Sequence, residues 1–196
     1  MGIAERQLPA AYQQVEWIEP DYSYGYPYID TETAFYSPDP GVEIKYKINK
    51  FYVAMHLLSG RNENIWVAPQ EDNLFVCVNY AGIRISTQNE YTVKELKLEK
   101  GHVYMNGSYF ADYDVGIVAR YGTFRLFRYY GSDSGDTYSF GGRLYYLRIY
   151  ERGTTRINLV PCYRKSDREP GMYDLVNRIF YQNAGTGEFA VGPDVN

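Results

Sequence analysis

With 196 residues, 45% of them hydrophobic and 22% charged, the chain is long enough to bury a core of ordinary composition. Its 23 tyrosines and net charge of −4 exclude intrinsic disorder, which couples few aromatics to high net charge. The same balance lacks the basic excess of a general nucleic-acid binder, and no stretch reaches the roughly 18–20 apolar residues of a membrane span.

Met1 to Pro9 carries Glu5, Arg6 and Gln7 where a secretory signal needs an apolar core, so no classical signal peptide is expected. Residues 1–7 read as an extension that docks on a partner, and 8–196 as a single domain. Tyr22, Tyr24, Tyr26 and Tyr28 alternate with the turn residues of Pro20 to Pro27. Four rings in an irregular loop have little to do inside a core, so the loop is expected to contact a partner. Val42 to Ile48 alternates throughout, with Val42, Ile44, Tyr46 and Ile48 on one face and Glu43, Lys45 and Lys47 on the other. A period of two with β-branched and aromatic residues is a half-buried strand. Further strands are expected at Phe51 to Leu57, Leu74 to Val78, Ile83 to Ser86 and Lys94 to Leu98. Val103 to Phe110 reads as a hairpin, because Asn106-Gly107 suits the positive φ angles of a type I′ turn. Thr123 to Tyr129, Arg143 to Tyr150, Arg156 to Tyr163 and a hairpin over Tyr173 to Gln182 complete the series. No 3.6-residue apolar period runs for three turns. The pattern predicts an all-β, two-sheet sandwich or barrel.

Cys77 and Cys162 both lie in apolar strand-like runs and read as buried free thiols. The doublet Tyr145-Tyr146 must place one ring on each face of its strand. Tyr145, Leu147 and Ile149 are assigned to the core, which leaves Tyr146, Arg148 and Tyr150 as an outward aromatic–cation–aromatic row. Such a row can stack on sugar rings or anchor a protein interface; cross-strand pairing that only stabilises the sheet is the plainer reading.

Two segments carry a resemblance. Leu8 to Glu19 followed by Tyr28-Ile29-Asp30-Thr31 resembles the opening of concanavalin A-like (LamG-type) jelly-roll domains. Leu144 to Tyr150, Leu159 to Asp167, Gly171 to Asn177 and Phe180 to Gly187 resemble their close, in matching order and spacing. Pro20 to Pro27 replaces the family's short turn, and Arg168 stands where a glycine is usual. The family recurs in phage and prophage tail and surface proteins of gut bacteria. The resemblance therefore implies an antiparallel jelly-roll sandwich, made in the bacterial cytoplasm and carried on the exterior of a phage particle. Its function would be to bind a glycan or glycoprotein on the host surface. The alternative is a structural virion component, a capsid decoration or tail protein, whose tyrosine-rich surfaces contact other virion proteins or further copies of itself. An inactive or atypical glycoside hydrolase relative comes third.

Catalysis finds little support in the residues. Laminarinase-type members of the fold carry a Glu-x-Asp-x-x-Glu strand, which is absent. Glu16 and Glu19 would point to opposite faces, and Glu95 and Glu99 sit among lysines as a solvated edge. Only His56 and His102 could serve a nucleophile, neither beside a cysteine or a nucleophile elbow. No enzyme activity and no cofactor are expected. Asp133 and Asp136, in an oxygen-rich Gly/Ser loop, are the single calcium candidate, weighed against an ordinary polar turn.

Overall fold

The computed structural model describes residues 7–31, 33, 35–37, 40–50, 56–60, 65–70, 73–78, 81–86, 91–114, 120–129 and 140–196. Residues 1–6 of the expected extension 1–7, most of the expected strand from Phe51 to Leu57, and the loop bearing Asp133 and Asp136 lie outside these residues.

Among the described residues, nineteen strands form two antiparallel sheets and a small ribbon, and there is no helix. The larger sheet runs β12 (Ser108–Asp112), β11 (His102–Met105), β10 (Val93–Glu99), β5 (Pro40–Lys50), β15 (Gly141–Glu151), β16 (Thr154–Arg164), β17 (Pro170–Asp174) and β18 (Ile179–Gln182). On this sheet β1 (Tyr12–Gln14) pairs with β16, while β2 (Ile18–Asp21) pairs with both β15 and β19 (Glu188–Val191). The smaller sheet runs β3 (Ile29–Asp30), β14 (Phe124–Leu126), β6 (Leu58–Gly60), β7 (Ile65–Gln70), β8 (Asn73–Val78) and β9 (Ala81–Ser86). A two-stranded ribbon joins β4 (Phe35–Ser37) to β13 (Arg120–Gly122).

The period of two decides which residues meet between the sheets. Val42, Ile44, Tyr46 and Ile48 of β5, Leu96 and Leu98 of β10, and Leu147 and Ile149 of β15 are all buried. They belong to one apolar cluster with Leu58, Ile65, Val67, Leu74, Val76, Phe124 and Leu126 of the smaller sheet. Burying such side chains contributes about 1.5–3 kcal/mol each before entropy is charged against it. The outward positions of the same strands are left for chemistry.

Among the described residues, three two-residue turns carry the positive φ at both central positions that type I′ demands. Asn106-Gly107 (50° and 78°) joins β11 to β12, as the sequence predicts. Lys100-Gly101 (51° and 80°) joins β10 to β11, and Arg152-Gly153 (50° and 77°) joins β15 to β16.

Two expectations are corrected. Tyr145 is not a core residue. The register steps from Leu144 opposite Tyr46 to Tyr146 opposite Lys45, so two residues of β15 face one step of β5. This bulge leaves Tyr145 unpaired and half-buried, and Leu144 takes the core position instead. The strand expected from Thr123 to Tyr129 stops at Leu126, because Phe127 turns to φ 69° and packs its ring 5.3 Å from Phe189. Cys162 is free and buried, and burial pushes its thiol up to about 12. The side chain of Cys77 lies outside the described set.

Candidate functional site

The alternation that buries Val42 and Ile44 aims Gly41, Glu43 and Lys45 outward, and the neighbouring strands add to them in register. Gly41 stands opposite Tyr150; the next cross-strand row reads Lys97, Glu43, Arg148, and the third Glu95, Lys45, Tyr146. The second row continues through Tyr104, opposite Lys97, to Tyr109, opposite Tyr104. The outer face of the larger sheet is therefore a lattice of tyrosines, cations and carboxylates, each held by main-chain pairing.

Glu43 is its hub. The Tyr150 hydroxyl donates to Glu43 Oε2 at 2.5 Å, and Arg148 Nη1 stands 3.7 Å from the same oxygen. The Arg148 guanidinium lies 5.1 Å from the Tyr146 ring centroid, and Lys45 Nζ lies 5.5 Å from that of Tyr145. Burial, then the hydrogen bond from Tyr150 and the charge of Glu43, push the Tyr150 phenol up to about 12. Burial first, then the carboxylates of Glu43 and Glu95, lift Tyr146 above the ordinary phenol range. Both hydroxyls thus remain neutral donors at any physiological pH.

At the end of the sheet where β5 begins, this face opens into a groove of about 320 Å³. Gly41 is its floor, where an added Cβ would stand 3.4 Å from the Tyr150 ring. Tyr150, Lys97 and Glu99 line it beside Lys100 and Arg152 of the two turns. Lys97 and Glu99 pair at 2.9 Å, and that contact keeps the ammonium protonated and the Glu99 carboxyl low. The opposite end of the face is closed by Arg143, 3.8 Å over the Trp17 ring and bonded to Glu19 at 3.0 Å.

Tyr146, Arg148 and Tyr150 thus share one outward face. The structure does not bring Tyr22, Tyr24 and Tyr26 to it. Their loop folds back on 183–187 rather than offering four free rings. The Tyr22 hydroxyl donates to the Phe140 carbonyl at 2.8 Å, and its ring stands 6.1 Å from Tyr26. Tyr28 lies between the guanidinium groups of Arg125 (5.0 Å) and Arg128 (4.9 Å). Only Tyr24 projects, at 87% exposure. Among the described residues no group of three His, Cys, Asp or Glu could hold a metal ion.

Sequence reasoning missed several participants. Glu43, Lys45 and Lys97 read as solvated strand positions, although their alternation already placed them on the Tyr146 side. Lys100-Gly101 and Arg152-Gly153 carried a turn signal that a search for Asn-Gly passes over. A second aromatic cluster, His56 with Trp66 (5.8 Å) and Tyr129 (4.8 Å), lies on the smaller sheet and had no local signature.

No protein-family model and no curated protein matches the chain. Solved structures do. A candidate carbohydrate-binding protein of Bacteroides ovatus superposes with a TM-score of 0.60 at 14% identity, over 94% of this chain and 62% of the other. This chain therefore spans less than two thirds of that structure's length. The heptameric SAP-like pentraxin of Limulus polyphemus superposes with a TM-score of 0.57 at 16% identity, over 92% of this chain and 95% of the other. Both are jelly-roll, lectin-like folds of the concanavalin A-like kind, and that is the fold of this chain.

Proposed function

We propose that this chain is a non-catalytic carbohydrate-binding module, and that sugar lies on the outer face of the larger sheet against Tyr146, Arg148 and Tyr150. One observation carries the reading: strand register gathers rings, a guanidinium and a carboxylate onto one face beside an open groove. Sugar rings present C–H faces to aromatic side chains and hydroxyls to fixed polar groups, and this lattice supplies both. The Glu43 bonds hold Tyr150 and Arg148 in place before a ligand arrives, which lowers the ordering cost of binding. The carbohydrate-binding description of the Bacteroides ovatus neighbour agrees with it. Hydrolysis is not part of the proposal. Glu43 and Glu99, the carboxylates nearest the groove, are each committed to a tyrosine or a lysine.

The setting proposed is the outside of a phage particle, with the sugar on the bacterial host. It rests on the LamG-type resemblance of the two terminal segments; neither structural neighbour is described as a virion protein. A role in subunit contacts is the second reading. It is favoured by the edge strand β12, where Tyr109 is 58% and Phe110 42% exposed without a lysine or proline to guard the edge.

The test is binding to a panel of bacterial surface polysaccharides, with Tyr146→Ala/Tyr150→Ala as the variant. Each ring is worth about 0.5–1.5 kcal/mol beyond area burial, so the pair should weaken binding by roughly tenfold or more. Circular dichroism should stay unchanged. No retained polysaccharide, unchanged binding by the folded variant, or release of shortened sugars would each overturn the reading.

A further inference from the structure

The three type I′ turns are not equivalent. Position one of such a turn favours asparagine or glycine, since other side chains crowd the backbone at positive φ. The chain places Asn106 there between β11 and β12, but a lysine and an arginine, Lys100 and Arg152, in the other two. Those two turns lie at the end of the sheet where β5 begins, and both cations line the groove beside Tyr150. The two cations therefore occupy a conformation that disfavours them at the one place where they border a cavity.

Charge points the same way. The groove gathers Lys97, Lys100 and Arg152 against Glu99 alone, on a chain whose net charge is −4. Glu99 is already paired with Lys97 at 2.9 Å. Among the described residues neither Lys100 nor Arg152 forms an ion pair. A guanidinium offers two parallel donors that match a carboxylate, and a sugar ring needs a flat wall, which Tyr150 supplies over the bare floor of Gly41.

We infer that the groove at Gly41 is the subsite for an acidic sugar, a uronate residue whose ring lies on Tyr150 and whose carboxylate meets Arg152 and Lys100. The inference rests on the carbohydrate reading above and gives it a ligand class. The module is an acidic-polysaccharide binder, and the groove fixes which residue of the chain sits at the sheet's end.

The experiment is calorimetric titration with α-1,4-linked tetragalacturonate and with its fully methyl-esterified form, which keeps the rings and removes the charge. Wild-type protein should bind the acid at least tenfold more tightly than the ester, with the preference shrinking as salt rises. Lys100→Asn/Arg152→Asn keeps residues suited to both turns, so the fold survives. It should abolish the preference, so that acid and ester bind alike. Equal binding of acid and ester by wild type, or a preference that survives in the variant, would overturn the subsite and leave the general carbohydrate reading standing. Preference for a sulfated tetrasaccharide over the uronate would overturn the assignment to a carboxylate. Failure of every sugar, charged and neutral, would remove both readings together.

Discussion

The tyrosines of β15, three in 11 residues, and those of the 22–28 loop, denser still in the sequence, end in opposite circumstances. On β15 the pleat decides orientation, so Tyr146 and Tyr150 stay on the outer face and are tied to Glu43 and Glu95. In the loop no pleat operates, and the backbone is free to bend until the rings find cover. It does so by pressing onto 183–187, where Gly25 and Gly185 allow main chain to approach main chain. Ring count alone is thus a poor guide to a binding surface. A tyrosine in a strand is committed to a face by register, whereas a tyrosine in a loop is free to be consumed by packing.

The sharpest way to break this contrast is to block the loop's docking. A Cβ on Gly185 would stand 2.1 Å from the Tyr26 carbonyl oxygen and 2.7 Å from the Tyr28 ring. Gly185→Ala should cost roughly 3 kcal/mol and lower Tm by about 5–10 °C in thermal unfolding. An unchanged Tm would mean that the loop merely rests on its neighbour. The row on β15 makes an intermediate prediction in alkaline titration. Tyr150 has a folded-state value raised above the ordinary phenol value of 10.0 to about 12, so its proton is held more tightly in the folded protein. Its contribution to stability is fully present below pH 10 and is lost as pH rises from there through about 12. Tyr150→Phe should flatten the stability loss across that window and remove one late-titrating phenol from the ultraviolet absorbance curve. The smallest effect belongs to Tyr24, the projecting ring. Tyr24→Ala should change stability by no more than about 0.5 kcal/mol in denaturant unfolding. A larger loss would show that this ring too has found cover.

Much of the fold was legible because it rests on short-range rules. The Val42–Ile48 alternation, the Asn106-Gly107 hairpin and the outward placement of Tyr146, Arg148 and Tyr150 each need only a pleat or a turn. What stayed hidden depends on partners distant in sequence. The bulge that removes Tyr145 from the core exists only where β15 meets β5. The strand β7 carries Pro69 and Ala68, weak strand formers, and is held by pairing with β6 and β8. The groove was invisible for the same reason. Gly41, Tyr150, Lys100 and Arg152 belong to three separate stretches, and only sheet register brings them to one rim.

The pairing of β5 with β15 also governs how the molecule can fold. Glu43 and Tyr150 are 107 positions apart, and Ile18 of β2 meets Val191 of β19 across a still longer span. Contacts so distant place a chain among slow folders, on the millisecond-to-second scale, while the 93–112 meander, closed by two tight turns, can form in microseconds. During nascent growth β5 waits with one edge satisfied by the meander and the other bare until β15 emerges. The outer lattice is therefore assembled late and all at once, and a truncated chain ending before Gly141 would present an open sheet edge in its place.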